Sequence, residues 1–277
     1  MWLLTLGLAL TLAMIDAAPH HPGIQINPRI IGGWGCEENS RPWQAALHYR
    51  GRHNCGGVLV HPQWVLTAAH CISPEYEVWL GLHNRILDKH TAQLAEVSAS
   101  FPHPLYNMTL QNLIANSNLN WTEFVNTFRG SDFSHDLMLL RLKKPVQLTQ
   151  SVQVLHLPTR EPQVGSSCSV SGWGSIIPDS ITIPATLQCL NVRLLPKDIC
   201  SQGHIYKVTE FMLCAGQLNG GQDSCTGDSG GPLICDGMFQ GTTSWGGTPC
   251  AEPGEPGLYV KVFTYVNWIL ETIEANS

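Results

Sequence analysis

The chain has 277 residues, enough for one large folding unit or two small ones, and 43% hydrophobic against 13% charged residues exclude wholesale disorder. A formal charge of −6 excludes the basic footprint of a nucleic-acid binder. Twenty-six glycines and eighteen prolines imply many turns and favour an all-β architecture over a helical one.

In chain order, Trp2 to Ile15 is a nearly continuous apolar run ending at Asp16-Ala17-Ala18-Pro19. The run is too short to span a bilayer comfortably and small residues follow it, which is the pattern of a secretory leader cleaved after Ala17. Residues 1–17 are therefore assigned to a signal peptide, the product is expected to be secreted and extracellular, and no membrane association is expected. Ala18 to Arg29 is a polar stretch with histidines and prolines and no hydrophobic periodicity. From Ile30-Ile31-Gly32-Gly33 onward the chain reads as short strands punctuated by turns. The candidates are Gln44–Tyr49, Gly57–Val60, Trp64–Ala68, Glu77–Leu80, Leu137–Leu142, Ser167–Gly172, Leu190–Leu195, Met212–Ala215, Pro232–Cys235, Thr242–Trp245 and Gly257–Lys261. Phe101 to Phe133 is a long, Asn-rich connection with little pattern. Only the end of the chain is clearly helical, with Val262, Tyr265, Val266, Trp268, Ile269 and Ile273 recurring at spacings of three and four.

Ten cysteines in a secreted chain, with no CxxC pairs, point to five disulfides and not to a structural metal. Spacing alone leaves about 945 pairings open.

Three local signatures carry chemistry, and they occur in a fixed order: Leu66-Thr67-Ala68-Ala69-His70-Cys71, Asp136-Leu137-Met138-Leu139-Leu140, and Gly227-Asp228-Ser229-Gly230-Gly231-Pro232. A serine hydroxyl is a poor nucleophile until a base takes its proton, and the base must be held in one tautomer by a third group. His70, Asp136 and Ser229 are the residues to fill those roles. The glycines beside Ser229 let the backbone turn sharply, so the Gly227 and Ser229 amides can face a developing oxyanion.

On these motifs the chain from Ile30 to its end resembles the trypsin/chymotrypsin family, and within it the tissue kallikreins. The resemblance implies two six-stranded antiparallel β-barrels, roughly 30–145 and 146–277, with a C-terminal α-helix and the triad in the cleft between them. It implies the pairs Cys36–Cys189, Cys55–Cys71, Cys168–Cys235, Cys200–Cys214 and Cys225–Cys250, which use every cysteine. It also makes residues 18–29 an activation propeptide, removed by cleavage of Arg29-Ile30 so that the new Ile30 amine pairs with Asp228. For substrate choice, the family pattern puts Asp223 at the floor of the primary pocket, with Ser244, Trp245, Gly246 and Gly257 around it, and Phe133 against the neighbouring subsite. The implied activity is hydrolysis of peptide bonds after arginine or lysine by an acyl-enzyme route, without a cofactor.

The implied partners are polypeptide substrates, an activating trypsin-like protease and serpin- or Kunitz-type protein inhibitors, with the enzyme itself a monomer. A catalytically silent binding module on the same fold is the alternative. Such modules lose a triad residue or the activation site, and this chain keeps both.

The chain departs from the family in the connection before Asp136, which is longer still than the one tissue kallikreins elongate, and which carries two N-glycosylation sequons at Asn107 and Asn120. Two readings stay open for it: a glycosylated lid over the cleft, or a tolerated insertion. Leu82, in Gly81-Leu82-His83-Asn84, stands where trypsin's calcium loop needs a carboxylate, so no calcium site is expected. His103 and His135 are candidates for an inhibitory zinc ion, but scattered histidines are rarely ligands, so no metal site is assigned.

Overall fold

The computed structural model describes residues 30–277; the expected leader, the propeptide and Arg29 lie outside the described residues. A two-residue strand, Trp34–Gly35 (β1), precedes six strands that close one antiparallel barrel. These are Gln44–Tyr49 (β2), Arg52–His61 (β3), Trp64–Thr67 (β4), Glu77–Leu80 (β5), Gln93–Pro102 (β6) and Met138–Leu142 (β7), in the ring order β2-β3-β4-β7-β6-β5. Between β6 and β7 lie two helices, Met108–Ala115 (α1) and Trp121–Phe128 (α2).

The second barrel comprises Ser167–Gly172 (β8), Gln188–Leu195 (β9), Met212–Gly216 (β10), Pro232–Cys235 (β11), Met238–Trp245 (β12) and Gly257–Lys261 (β13). Its ring runs β8-β9-β10-β13-β12-β11, and β1 adds to β9. Lys197–Gly203 (α3) connects β9 to β10, and Val266–Ala275 (α4) ends the chain. The two-barrel fold and terminal helix implied by the resemblance are thus observed.

Alternation of side chains along each strand explains how one sequence fills several cores at once. On β9, Leu190, Val192 and Leu194 enter the second barrel while Asn191 and Arg193 face solvent. On β4 and β7 both faces are buried. Val65, Met138 and Leu140 fill the first barrel, whereas Trp64, Leu66, Leu137 and Leu139 form a separate layer with Phe239, Val260, Val262, Tyr265 and Ile269. That layer joins the barrels and docks the terminal helix on the outside of the first one. Ile30, at the other end of the described chain, is fully buried in the core of the second barrel. Each end is therefore held by the barrel remote from it in sequence.

Disulfides join Cys36–Cys189, Cys55–Cys71, Cys168–Cys235, Cys200–Cys214 and Cys225–Cys250. Bonds of this kind contribute about 2–4 kcal/mol each.

The 101–133 connection is more ordered than its composition suggests. Each of its helices starts on a sequon asparagine. Asn107 Oδ1 accepts from the Leu110 amide at 2.9 Å, and Asn120 Oδ1 accepts from Glu123 at 3.0 Å in a reciprocal capping box. Phe128, at the end of α2, is buried, and its ring meets Phe124 at 5.0 Å.

Ile269 is the fully buried anchor of α4 in the inter-barrel layer. Ile269→Ala should lower unfolding stability by about 2–5 kcal/mol in urea titrations; a loss below about 1 kcal/mol would mean that the helix is not clamped there.

Candidate active site

His70 lies in the single 3₁₀ turn Ala69–Cys71 that follows β4, and the Cys55–Cys71 bond ties this turn back to β3. Asp136 immediately precedes Leu137 and β7 and is only 2% exposed. Its carboxylate accepts three hydrogen bonds. The His70 amide donates to Oδ1 at 2.9 Å, His70 Nδ1 donates to Oδ2 at 2.7 Å, and the Ser244 hydroxyl donates to Oδ2 at 2.5 Å. His70 belongs to the first barrel and Ser244, on β12, to the second, so the buried charge is satisfied from both sides of the cleft.

Burial alone would raise the Asp136 carboxyl. The His70 charge, with the bonds from His70 and Ser244, outweighs burial and holds Asp136 below the ordinary range. The same pair acts in reverse on His70: burial pulls the imidazole down, but the Asp136 charge and hydrogen bond carry it above its usual value.

The backbone just before Asp136 takes a left-handed conformation at His135, φ 66°. A non-glycine residue there is strained. Contacts on every side oppose the strain: Tyr265 Oη lies 2.8 Å from His135 Nδ1, the His103 ring stacks at 5.1 Å, and Phe211 packs at 4.4 Å.

Ser229 is fixed by a turn that only glycine can make. Gly230 has φ 82°, and a Cβ there would sit 2.1 Å from Thr67 Oγ1 and 2.5 Å from the Gly56 carbonyl. Both barrels pin the turn: the Gly56 amide donates to the Ser229 carbonyl at 2.8 Å, and the Gly230 amide to Thr243 at 2.8 Å. The Gly227 and Ser229 amides have no hydrogen-bond partner among the described residues. No hydrogen bond joins the Ser229 hydroxyl to the His70 ring in this structure; both residues are half-buried.

Ser229 lines a cavity of about 310 Å³ with residues 224–226 and 243–250. Asp223 lies behind its wall, 2% exposed, and Oδ1 accepts from the Ser224 amide at 2.8 Å. A Cβ added at Gly246 would lie 3.7 Å from Asp223 Oδ2, and one at Gly257 only 2.9 Å from Oδ1. Small residues at both positions therefore keep the carboxylate approachable. Burial, with a smaller contribution from Asp228, pushes Asp223 up to about 8, against the bonds from the Ser224 and Ala251 amides. Asp228 is buried as well; the Gly174 amide donates to Oδ1 at 2.7 Å and the Cys225 amide to Oδ2 at 2.9 Å. Burial raises it to about 6 despite those bonds, and it has no cationic partner among the described residues.

Some neighbours of the site carry no sequence signal. Tyr206, in an irregular segment after α3, meets the buried Phe133 at 4.8 Å and Trp245 at 5.5 Å, so that three aromatic rings form one wall. His53 Nε2 lies 2.9 Å from the Gly227 carbonyl and so braces the serine turn from β3. Nothing in the local sequence around either residue marks it.

The grouping of metal-ligand residue types found among the described residues, Cys55, His70 and Cys71, has both sulfurs in a disulfide and cannot chelate. Leu82 is buried against Trp173, and Asp88 instead caps the neighbouring turn at His83. Asn107 and Asn120 are exposed, and their side-chain nitrogens, the atoms a glycan would take, are left outside the cap bonds.

Comparison with known proteins agrees with this geometry. The family model described as Trypsin matches residues 30–269. The chain is 51% identical to kallikrein-2 of Homo sapiens over the full length of both proteins. It is 50% identical to kallikrein-1 of Mus musculus, covering 99% of this chain and 98% of the relative. Among solved structures it is similar to neuropsin, a serine protease expressed in the limbic system of mouse brain. The TM-score is 0.75 at 43% identity, covering 87% of this chain and 98% of neuropsin.

The Ser244 bond to Asp136 yields a test in which pH fixes the sign. Ser244→Ala should cost about 1–3 kcal/mol at neutral pH, because it removes a donor from a buried charge. A depressed carboxyl stabilises the fold above its unfolded value and loses that contribution as pH falls through the folded one. The deficit of the variant should therefore shrink on acidification below about pH 4 in denaturant titrations. A deficit that stays constant with pH would mean a packing loss instead.

Proposed function

The chain belongs to the trypsin family, and on that premise we propose that it is a secreted, kallikrein-like serine endopeptidase, released from a precursor by cleavage after Arg29, that cuts after arginine or lysine. The observation that carries this reading is the 2.7 Å bond from His70 Nδ1 to the saturated, buried Asp136, whose third donor, Ser244, lines the same cavity as Ser229.

In the proposed reaction, the Ser229 oxygen adds to the scissile carbonyl carbon while His70 Nε2 takes the hydroxyl proton. Asp136 keeps the other ring proton on Nδ1 and stabilises the imidazolium. The oxyanion is received by the two unpartnered amides of Gly227 and Ser229. His70 then gives its proton to the leaving amine as the C–N bond breaks, and water attacks the acyl-enzyme by the same route. A neutral imidazole is needed for the first transfer, so turnover falls on the acid side of the elevated His70 value.

Selectivity rests on Asp223. A carboxyl that burial has raised to about 8 is short of a counter-ion, and a substrate guanidinium or ammonium supplies one. Arginine is favoured where its fork meets both oxygens. Phe133 narrows the neighbouring subsite.

Activation follows the same electrostatic logic. A new Ile30 ammonium, with an unperturbed pKa of about 7.7–8.0, would neutralise Asp228 and hold the Gly227–Ser229 turn through a carboxylate already bonded to Gly174 and Cys225. The reading also takes in the leader, the glycans at Asn107 and Asn120, a trypsin-like activator and serpin- or Kunitz-type inhibitors.

Arg29→Gln should leave the secreted protein without activity until another protease site is supplied at that position; full activity in the uncleaved variant would contradict activation by cleavage. Asp223→Ser should lower kcat/KM for arginyl substrates by about two or more orders of magnitude while the protein stays folded. Unchanged arginyl selectivity would remove Asp223 from the pocket. Burst release from an arginyl ester, measured on processed protein, separates an acyl-enzyme from a silent binding module, which would show none.

A further inference from the structure

A second cavity, of about 220 Å³, opens between α2 and the segments 203–206 and 246–248. It shares Tyr206, Gly246, Gly247 and Thr248 with the cavity that Ser229 lines, so the two adjoin. Its outer wall comes from the long connection itself. The Trp121 and Phe124 rings are parallel within 10° at 6.0 Å, and Phe124 is braced by the buried Phe128. Trp121 remains 65% exposed, a large apolar ring that the other described residues do not cover.

Glu255 lines the same cavity as the aromatic rings, near enough to His204 for their charges to interact. A Cβ added at Gly247 would lie 2.5 Å from its Oε2, so the carboxylate reaches across that glycine. Glu255 makes no ion pair and accepts no hydrogen bond on its side chain among the described residues. Aromatic faces and an unpaired carboxylate in one cavity suit one side chain best. Arginine offers a flat cation that stacks on rings and forks onto a carboxylate, whereas lysine is a strongly hydrated point charge.

The position of that arginine follows from strand addition. An extended substrate running antiparallel to Ser244–Gly246 places the residue before the cut beside Ser244, which touches Asp136. Strand pairing of this kind ends with β12 at Trp245, and at about 3.3–3.4 Å per residue the fourth and fifth residues upstream reach past Gly246 toward Gly247 and Thr248, which line the second cavity.

We infer that this cavity is an accessory subsite that binds an arginine side chain four or five residues upstream of the cut. The inference rests on the proteolytic reading above and extends it to a longer stretch of substrate.

Two series of fluorogenic heptapeptides test it, all cut after arginine and differing only in having Arg, Ala or Phe at the fourth or the fifth upstream position. With processed wild-type protein, kcat/KM should be about tenfold higher for Arg than for Ala in one series, chiefly through KM. The same ratio should fall to within about twofold in Glu255→Gln and in Trp121→Ala. Each ratio is internal to one protein, so a fall in the amount of folded variant does not move it. No advantage for Arg at either position, an advantage that survives both substitutions, or Phe ranking above Arg would each overturn the inference. Failure of the proteolytic reading is distinguishable: wild type would then not cleave an arginyl tripeptide amide, a substrate too short to reach the cavity.

Discussion

The structure depends on one buried charge. Asp136 is enclosed where the two barrels meet, and an ionised carboxylate in such a place is tolerable only when its oxygens are filled by donors. Two donors come from His70 on the first barrel and one from Ser244 on the second. Rotation of one barrel against the other would strip the carboxylate of a partner, so satisfying the charge also sets the relative placement of the barrels. Hydrophobic contact in the shared layer of Trp64, Leu66, Leu139, Phe239 and Val260 brings the halves together without direction, and the carboxylate adds the direction.

Three buried acids lie near the cleft, and their partners explain why they differ. Asp136 has a nearby imidazole as well as hydrogen bonds and is held down. Asp228 has two good amide donors but no positive charge, and rises to about 6. Asp223, buried with Asp228 as a like charge, rises furthest, to about 8, despite bonds from Ser224 and Ala251. The order follows from how much of the burial penalty each environment offsets. It also separates an acid that is complete within the folded chain from two that still call for a cation. For Asp223 the cation would come from a substrate, and for Asp228 from the chain's own new terminus.

Much of this was legible in the sequence, and the reason is local. Strands such as Gln44–Tyr49, Ser167–Gly172 and Gly257–Lys261 are short runs bounded by turn residues, and they occur as read. The strand Gln93–Pro102 escaped although Ala95, Val97, Ala99 and Phe101 alternate with Glu96, Ser98 and Ser100, because its inward residues are mostly small and only Ala95 is fully buried. The helices in the 101–133 connection escaped for a different reason: each is about two turns long, and their strongest signals are asparagine caps, which a sequence reader takes first as sequons. At the site, His70, Asp136 and Ser229 stand in compact motifs because the backbone around each must take a special shape. Tyr206, His53 and Trp121 act only through neighbours distant along the chain, and no local pattern can announce such contacts.

The neck of the 101–133 connection accounts for how so long a segment can precede so sensitive a residue. The connection leaves β6 and returns to β7 through a closed neck, where the His103 amide donates to the Leu137 carbonyl at 2.8 Å and the His103 and His135 rings stack. Tyr265 and Trp268, from the terminal segment, pack on His103 from the other side at 5.1 and 4.9 Å. Beyond the neck, α1 packs Met108, Leu110 and Ile114 on the first-barrel core cluster, whereas α2 forms a wall of the second cavity. Under the proposed reading, changes in α2 alter what is recognised several residues from the cut and leave the hydrogen bonds around Asp136 in place.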